Sequence, residues 1–106
     1  MDAEERFAAV VRELAGHPGV ETPEGGRRRF GSDALKVNGS IFAMLTGGSL
    51  IVKLPRHRVD ALIAEGTGAP FESGKGRPMK EWLTATTDDG ETWLALAPEA
   101  LDFVGG

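Results

Sequence analysis

The stretch DALKVNGSIFAMLTGGSLIVKL, residues 33–54, decides the fold. It holds three β-prone runs, at residues 33–37, 40–45 and 49–54, separated by Asn38-Gly39 and Gly47-Gly48. Both dipeptides tolerate the positive φ that a two-residue hairpin turn demands, so the three runs predict an antiparallel meander. The middle run is apolar on both alternating faces, with Ile41, Ala43 and Leu45 on one and Phe42 and Met44 on the other. Both sides of the sheet should therefore be at least partly covered there, by the chain's own loops or by a second copy.

Upstream, Phe7, Val10, Val11 and Leu14 recur at the spacing of one helix face, opposite Glu5, Arg12 and Glu13. Asp2 with Glu5 three residues on makes an N-terminal cap, and Gly16 and Pro18 stop the helix, predicted over residues 3–15. Residues 16–32 carry five glycines and two prolines without an apolar period and read as a loop. Downstream, Pro55 suits a first helical turn, Val59, Leu62, Ile63 and Ala64 supply an apolar stripe over residues 56–65, and Gly66 caps it. A glycine-punctuated segment follows, with a very short strand at residues 70–73 and another strand at residues 82–86.

Residues 87–104 admit two readings. Asp89-Gly90 between two β-prone triplets forms a hairpin turn in one. In the other, Trp93, Leu96, Ala97, Ala100, Leu101 and Val104 follow a helical period, Asp88 and Glu91 make a capping box, and Pro98 imposes a kink or break near Ala97. The longer period favours the helix. The resulting order, α-β-β-β-α-(β)-β-α, predicts an α+β two-layer sandwich with an antiparallel sheet of four to five strands.

At 106 residues the chain is one domain's worth of polypeptide, since a domain takes roughly 100 to 150. The absence of cysteine excludes disulfides, a thiol nucleophile and thiolate metal sites. His17 and His57 stand at no metal-ligand spacing, no serine sits in a nucleophile elbow, and Asp88-Asp89-Gly90 lacks the spaced oxygens of a calcium loop. Ser73-Gly74-Lys75-Gly76 resembles a phosphate cradle, but the glycine required five residues before Gly74 is Ala69, and Gly76 replaces the magnesium-binding hydroxyl. No catalytic, cofactor or metal set emerges, and the expectation is a protein that is not an enzyme and needs no cofactor. Trp82 and Trp93 read as core anchors. The acidic, polar start lacks a secretory pattern, and the longest apolar run, Ile41 to Leu45, is far short of the roughly 20 residues of a membrane span. A cytoplasmic protein with no membrane role is expected.

The net charge of −4 hides an asymmetry. Residues 1–26 carry a net −4, residues 27–80 hold ten bases against four acids, and residues 81–106 hold six acids and no base. The candidate anion- or nucleic-acid-binding residues are Arg27, Arg28, Arg29, Lys53, Arg56, Arg58, Lys75, Arg77 and Lys80. The competing reading is that they are solubilising charges, some paired with the acidic terminal helices.

Several short pieces also carry a family resemblance: Pro18-Gly19-Val20-Glu21, Arg29-Phe30-Gly31, Val37-Asn38-Gly39-Ser40-Ile41-Phe42-Ala43, Ile51-Val52-Lys53-Leu54-Pro55, the run from Gly74 through Trp82, and the closing Glu99-Ala100-Leu101-Asp102-Phe103-Val104. In this order, across nearly the whole chain, they resemble the TfoX/Sxy N-terminal-domain family and, more distantly, the MmcQ/YjbR-like proteins. The resemblance implies helices covering one face of a five-stranded antiparallel sheet. It also implies a non-enzymatic regulatory or interaction domain, tied to bacterial transcription control, that binds a macromolecular partner, whether protein or nucleic acid. The alternative is a protein-binding or self-associating module, a homodimer included, using the apolar sheet face without a nucleic-acid role.

Overall fold

The computed structural model describes residues 2–22, 33–72 and 78–106. Its elements run α1 (Ala3–Leu14), β1 (Val20–Glu21), β2 (Asp33–Val37), β3 (Ser40–Thr46), β4 (Ser49–Lys53), α2 (Arg56–Glu65), β5 (Gly68–Glu72), β6 (Pro78–Ala85) and α3 (Gly90–Gly105). The sheet order is β1-β2-β3-β4-β6-β5, with every neighbouring pair antiparallel. The α+β sandwich expected from the sequence is present, with six strands rather than four or five. The addition is β1, two residues paired with the end of β2 inside a segment read as loop. Two residues are too few to show a period.

The meander closes as its turn residues require. Asn38 and Gly39 have φ of 52° and 87°, and Gly47 and Gly48 of 60° and 81°, the doubly positive pattern whose twist matches that of the flanking strands. A row of paired residues, Leu35, Ala43, Val52 and Leu83, crosses four strands with zero exposure and forms the floor of the core. All three helices contribute to that core: Phe7, Val10 and Leu14 from α1, Val59 and Leu62 from α2, and Trp93, Leu96, Ala97, Ala100 and Leu101 from α3. α3 lies on β2, β3 and β4 with α1 packed beside it, whereas α2 lies on β5 and β6.

The face assignment of the middle strand needs a correction. Leu35 pairs with Ala43 but the next residue, Lys36, pairs with Ile41, so Phe42 is the extra residue of a β-bulge. The bulge breaks the alternation. Phe42 turns to the helix side and is fully buried with Ala43 and Leu45, while Ile41 and Met44 are half-buried. On the second face, Ala34, Met44, Ile51, Thr84 and Ala69 form a paired row, of which Ile51 is buried and the others half-buried.

Residues 90–105 are helical, so the hairpin reading of Asp89-Gly90 is wrong, and Asp89 rather than Asp88 is the cap. Its Oδ1 accepts from the Glu91 amide at 3.1 Å and its Oδ2 from the Thr92 hydroxyl at 3.1 Å. Thr87 supports this turn twice, its hydroxyl accepting from the Asp89 amide and its carbonyl from the Trp93 indole Nε1 at 2.9 Å. The helix continues across Pro98 without a break. The carbonyl left without a helical donor belongs to Leu94, which is exposed, so water can take the bond that the core could not supply.

Candidate functional site

The candidate site arises from a second irregularity, in β6. Pro70 of β5 pairs with Leu83, yet its neighbour Phe71 pairs with Met79, so residues 80–82 of β6 have no counterpart on β5. The same stretch stays bonded to the end of β4: Lys53 pairs with Trp82, and the Leu54 amide donates to the Glu81 carbonyl at 2.9 Å. A bulge of this kind re-aims side chains and recurs beside functional sites. Here it delivers Lys80 and Trp82 next to α2, where they border a groove of about 200 Å³ with Arg56, Asp60, Ile63 and Pro70.

Trp82 is the centre of this arrangement. It is only half-buried, in contrast to Trp93, which is 1% exposed in the core, so the expectation of two core tryptophans holds for one of them. The Phe71 ring lies 6.4 Å from that of Trp82 at 53°, and the Lys53 ammonium stands 5.8 Å from the Trp82 ring centroid. These distances suit a tilted aromatic pair and a cation over a π face. The site thus joins rings and cations that are distant in sequence.

Of the nine basic residues singled out from the sequence, Lys53, Arg56 and Lys80 gather around Trp82. None of the three has an ion-pair partner among the described residues. Arg58 diverges: its Nε and Nη2 donate to the two carboxylate oxygens of Glu99 at 2.9 and 3.0 Å. The hydrogen bonds and charge of Glu99, aided by Glu65 and opposed by some burial, hold the Arg58 guanidinium above its ordinary pKa. Arg27, Arg28, Arg29, Lys75 and Arg77 lie outside the described residues, as does the Ser73-Gly74-Lys75-Gly76 segment.

The start of α2 adds to the positive field. Its N-cap, Pro55, offers no side-chain hydrogen bond, and its first turn, Arg56, His57 and Arg58, contains no acid to offset the helix dipole. His57 opens on a different groove, with Arg58, Glu99, Asp102 and Phe103, so His57 and Asp60 do not share a pocket. Among the described residues no group of three or more His, Asp or Glu could hold a metal ion, and no helix is long and apolar enough to cross a membrane.

The acidic terminal helices α1 and α3 pack on each other, apart from the β5–β6 end of the sheet that α2 covers, whereas Glu81 lies on β6 between Lys80 and Trp82. α1 and α3 pack together over β2 to β4, and the contact from α3 to a basic residue singled out from the sequence is the Glu99 pair with Arg58. A strand expected only from residue 82 leaves Lys80 and Glu81 outside β6, so the sequence pattern does not reveal the bulge at residues 80–82 that forms the Trp82 cluster. The one available signal was the run Lys80-Glu81-Trp82, which interrupts strand alternation with two charges. Comparison with known proteins finds no match: no family model fits the chain, and no curated protein and no solved structure is significantly similar to it.

Proposed function

We propose that the chain is a non-enzymatic interaction domain that binds nucleic acid through the Trp82 groove, in keeping with its resemblance to the TfoX N-terminal domain. The observation that carries this reading is the convergence of Lys53, Arg56 and Lys80 on a half-buried tryptophan, with no carboxylate paired to any of them among the described residues. Cations gathered around one ring neutralise phosphates and position a backbone without reading its sequence. The overall net charge of −4 opposes binding only at long range, since salt screens charges beyond about 8 to 10 Å.

The self-association reading draws less support. The second sheet face presents half-buried residues around the buried Ile51, and the large exposed hydrophobics among the described residues, Leu94 and Phe103, both sit on α3. A contiguous exposed apolar patch is what such an interface would need.

Fluorescence anisotropy with a labelled 12-nucleotide strand and the corresponding duplex tests the proposal. Neutralising about three phosphates makes affinity fall roughly 15- to 40-fold between 50 and 200 mM salt. Combined Lys53→Gln, Arg56→Gln and Lys80→Gln substitution should abolish binding while the circular dichroism spectrum stays native. No binding to either probe at low salt, or undiminished binding by the triple variant, rejects the reading.

A further inference from the structure

We infer that the groove between α2 and β6 is a subsite for a single unpaired nucleobase, so that the preferred ligand is single-stranded nucleic acid. This rests on the nucleic-acid reading above and narrows it. Three features of the groove support it. The first is size: about 200 Å³ is below the roughly 300–1,000 Å³ of sites that take drug-sized molecules, and suits one planar ring rather than a whole cofactor.

The second feature is the lining. Trp82 supplies an aromatic surface, Pro70 and Ile63 supply apolar walls, and Phe71 leans against Trp82 from β5 and holds it in place. Base stacking on an exposed aromatic is the recurrent way that single strands are held, because every base has a π face whatever its identity. A base inside a duplex presents only its edge in a groove and cannot reach such a surface without leaving the stack.

The third feature is the order of charges. Arg56 and Lys80 stand on the same groove as Trp82, and Lys53 stands over the ring. A base in the groove therefore places its flanking phosphates near cations. Asp60, one turn beyond Arg56 on α2, is the acid on the groove and is within 4 Å of no cation as an ion pair among the described residues. Its carboxylate is open to accept a hydrogen bond from a base N–H.

The test uses the intact chain and three labelled 12-mers: a mixed-sequence strand, its duplex, and a strand of abasic spacer units with the same phosphates. The base-bearing strand should bind at least tenfold more tightly than the abasic strand and more tightly than the duplex, and should quench tryptophan fluorescence. In Trp82→Ala the base-bearing and abasic strands should bind with the same affinity, so that the preference for bases is lost. If the abasic strand or the duplex binds as well as the base-bearing strand, the base subsite is wrong and the phosphate-binding reading survives. If none of the three binds, both fall. The comparison of the three strands on the unsubstituted protein stands even if Trp82→Ala fails to fold.

Discussion

Arg58 and Glu99, forty-one positions apart, meet through two parallel hydrogen bonds of 2.9 and 3.0 Å that tie α2 to α3. This is the fork-to-fork geometry in which arginine outperforms lysine. Both side chains are more than a third exposed, at 37% and 39%, so solvent screens the pair and its contribution is about 0.5 to 1 kcal/mol. Arg58→Lys and Glu99→Gln should each lower stability by about that amount, and the double variant by less than the sum, in urea unfolding. Because the folded-state pKa of Arg58 is raised, its contribution is fully present below the ordinary guanidinium range and is lost only as pH climbs through the folded value. Arg58 should therefore add no slope to stability between pH about 6 and about 9. A coupling of zero in the double-mutant cycle would show that the pair does not hold the helices together.

Gly68 begins β5 opposite Ala85, and a Cβ built on it would lie 2.7 Å from the Leu83 Cγ. Leu83 has zero exposure and cannot swing away without displacing Val52 and its neighbours. Gly68→Ala should cost about 1 to 3 kcal/mol through overpacking rather than backbone strain. Leu83→Val should cost less in the Gly68→Ala background than in the unsubstituted protein, because the two changes share one space. Chemical denaturation of the four proteins gives the comparison, and a neutral Gly68→Ala would contradict the packing described.

The sequence was most informative where local chemistry alone determines the backbone. Helix α2 begins and ends at the expected residues because proline at the N-cap and the left-handed Gly66, at φ 84°, are both local devices. The two hairpins follow from dipeptides that need positive φ. The bulges at Phe42 and at residues 80–82 depend instead on which strand lies alongside, and neither the reversal of Phe42 nor the exposure of Trp82 can be inferred from a window of neighbours. The candidate site suffers most from this. Nine basic residues were equivalent as sequence, and only long-range pairing separates Arg58, neutralised by Glu99, from Arg56, two positions away on the Trp82 groove.

The two tryptophans give a direct check on that placement. Trp93 is 1% exposed, hydrogen-bonded through Nε1 to Thr87 and covered by Arg6 at 5.0 Å from its ring, whereas Trp82 is half-buried among cations. Iodide is an anion and should be concentrated near Lys53, Arg56 and Lys80, so it should quench one emission component strongly and spare the other. Trp82→Phe should remove the quenchable component with little change in stability. Trp93→Phe should leave it intact but cost about 2 to 3 kcal/mol, through lost packing volume and an unpaired Thr87 carbonyl. Equal quenching of both tryptophans would mean that Trp82 is as enclosed as Trp93.

Asp60 makes the base subsite selective, if its carboxylate accepts from the ring seated on Trp82. The exocyclic amino group of cytosine is a donor, whereas the single ring N–H of thymine lies between two carbonyls that a carboxylate repels. A cytosine 12-mer should therefore bind more tightly than a thymine 12-mer, by a few-fold. Charge and acceptor can be separated by two variants. Asp60→Asn and Asp60→Ala both remove one negative charge from the groove, so both should bind the abasic strand about two- to threefold more tightly at low salt. Only Asp60→Asn keeps a carbonyl acceptor, so the cytosine preference should persist in part there and vanish in Asp60→Ala. Equal binding of the two pyrimidine strands by the unsubstituted protein would remove Asp60 from recognition and leave it as a charge that limits affinity.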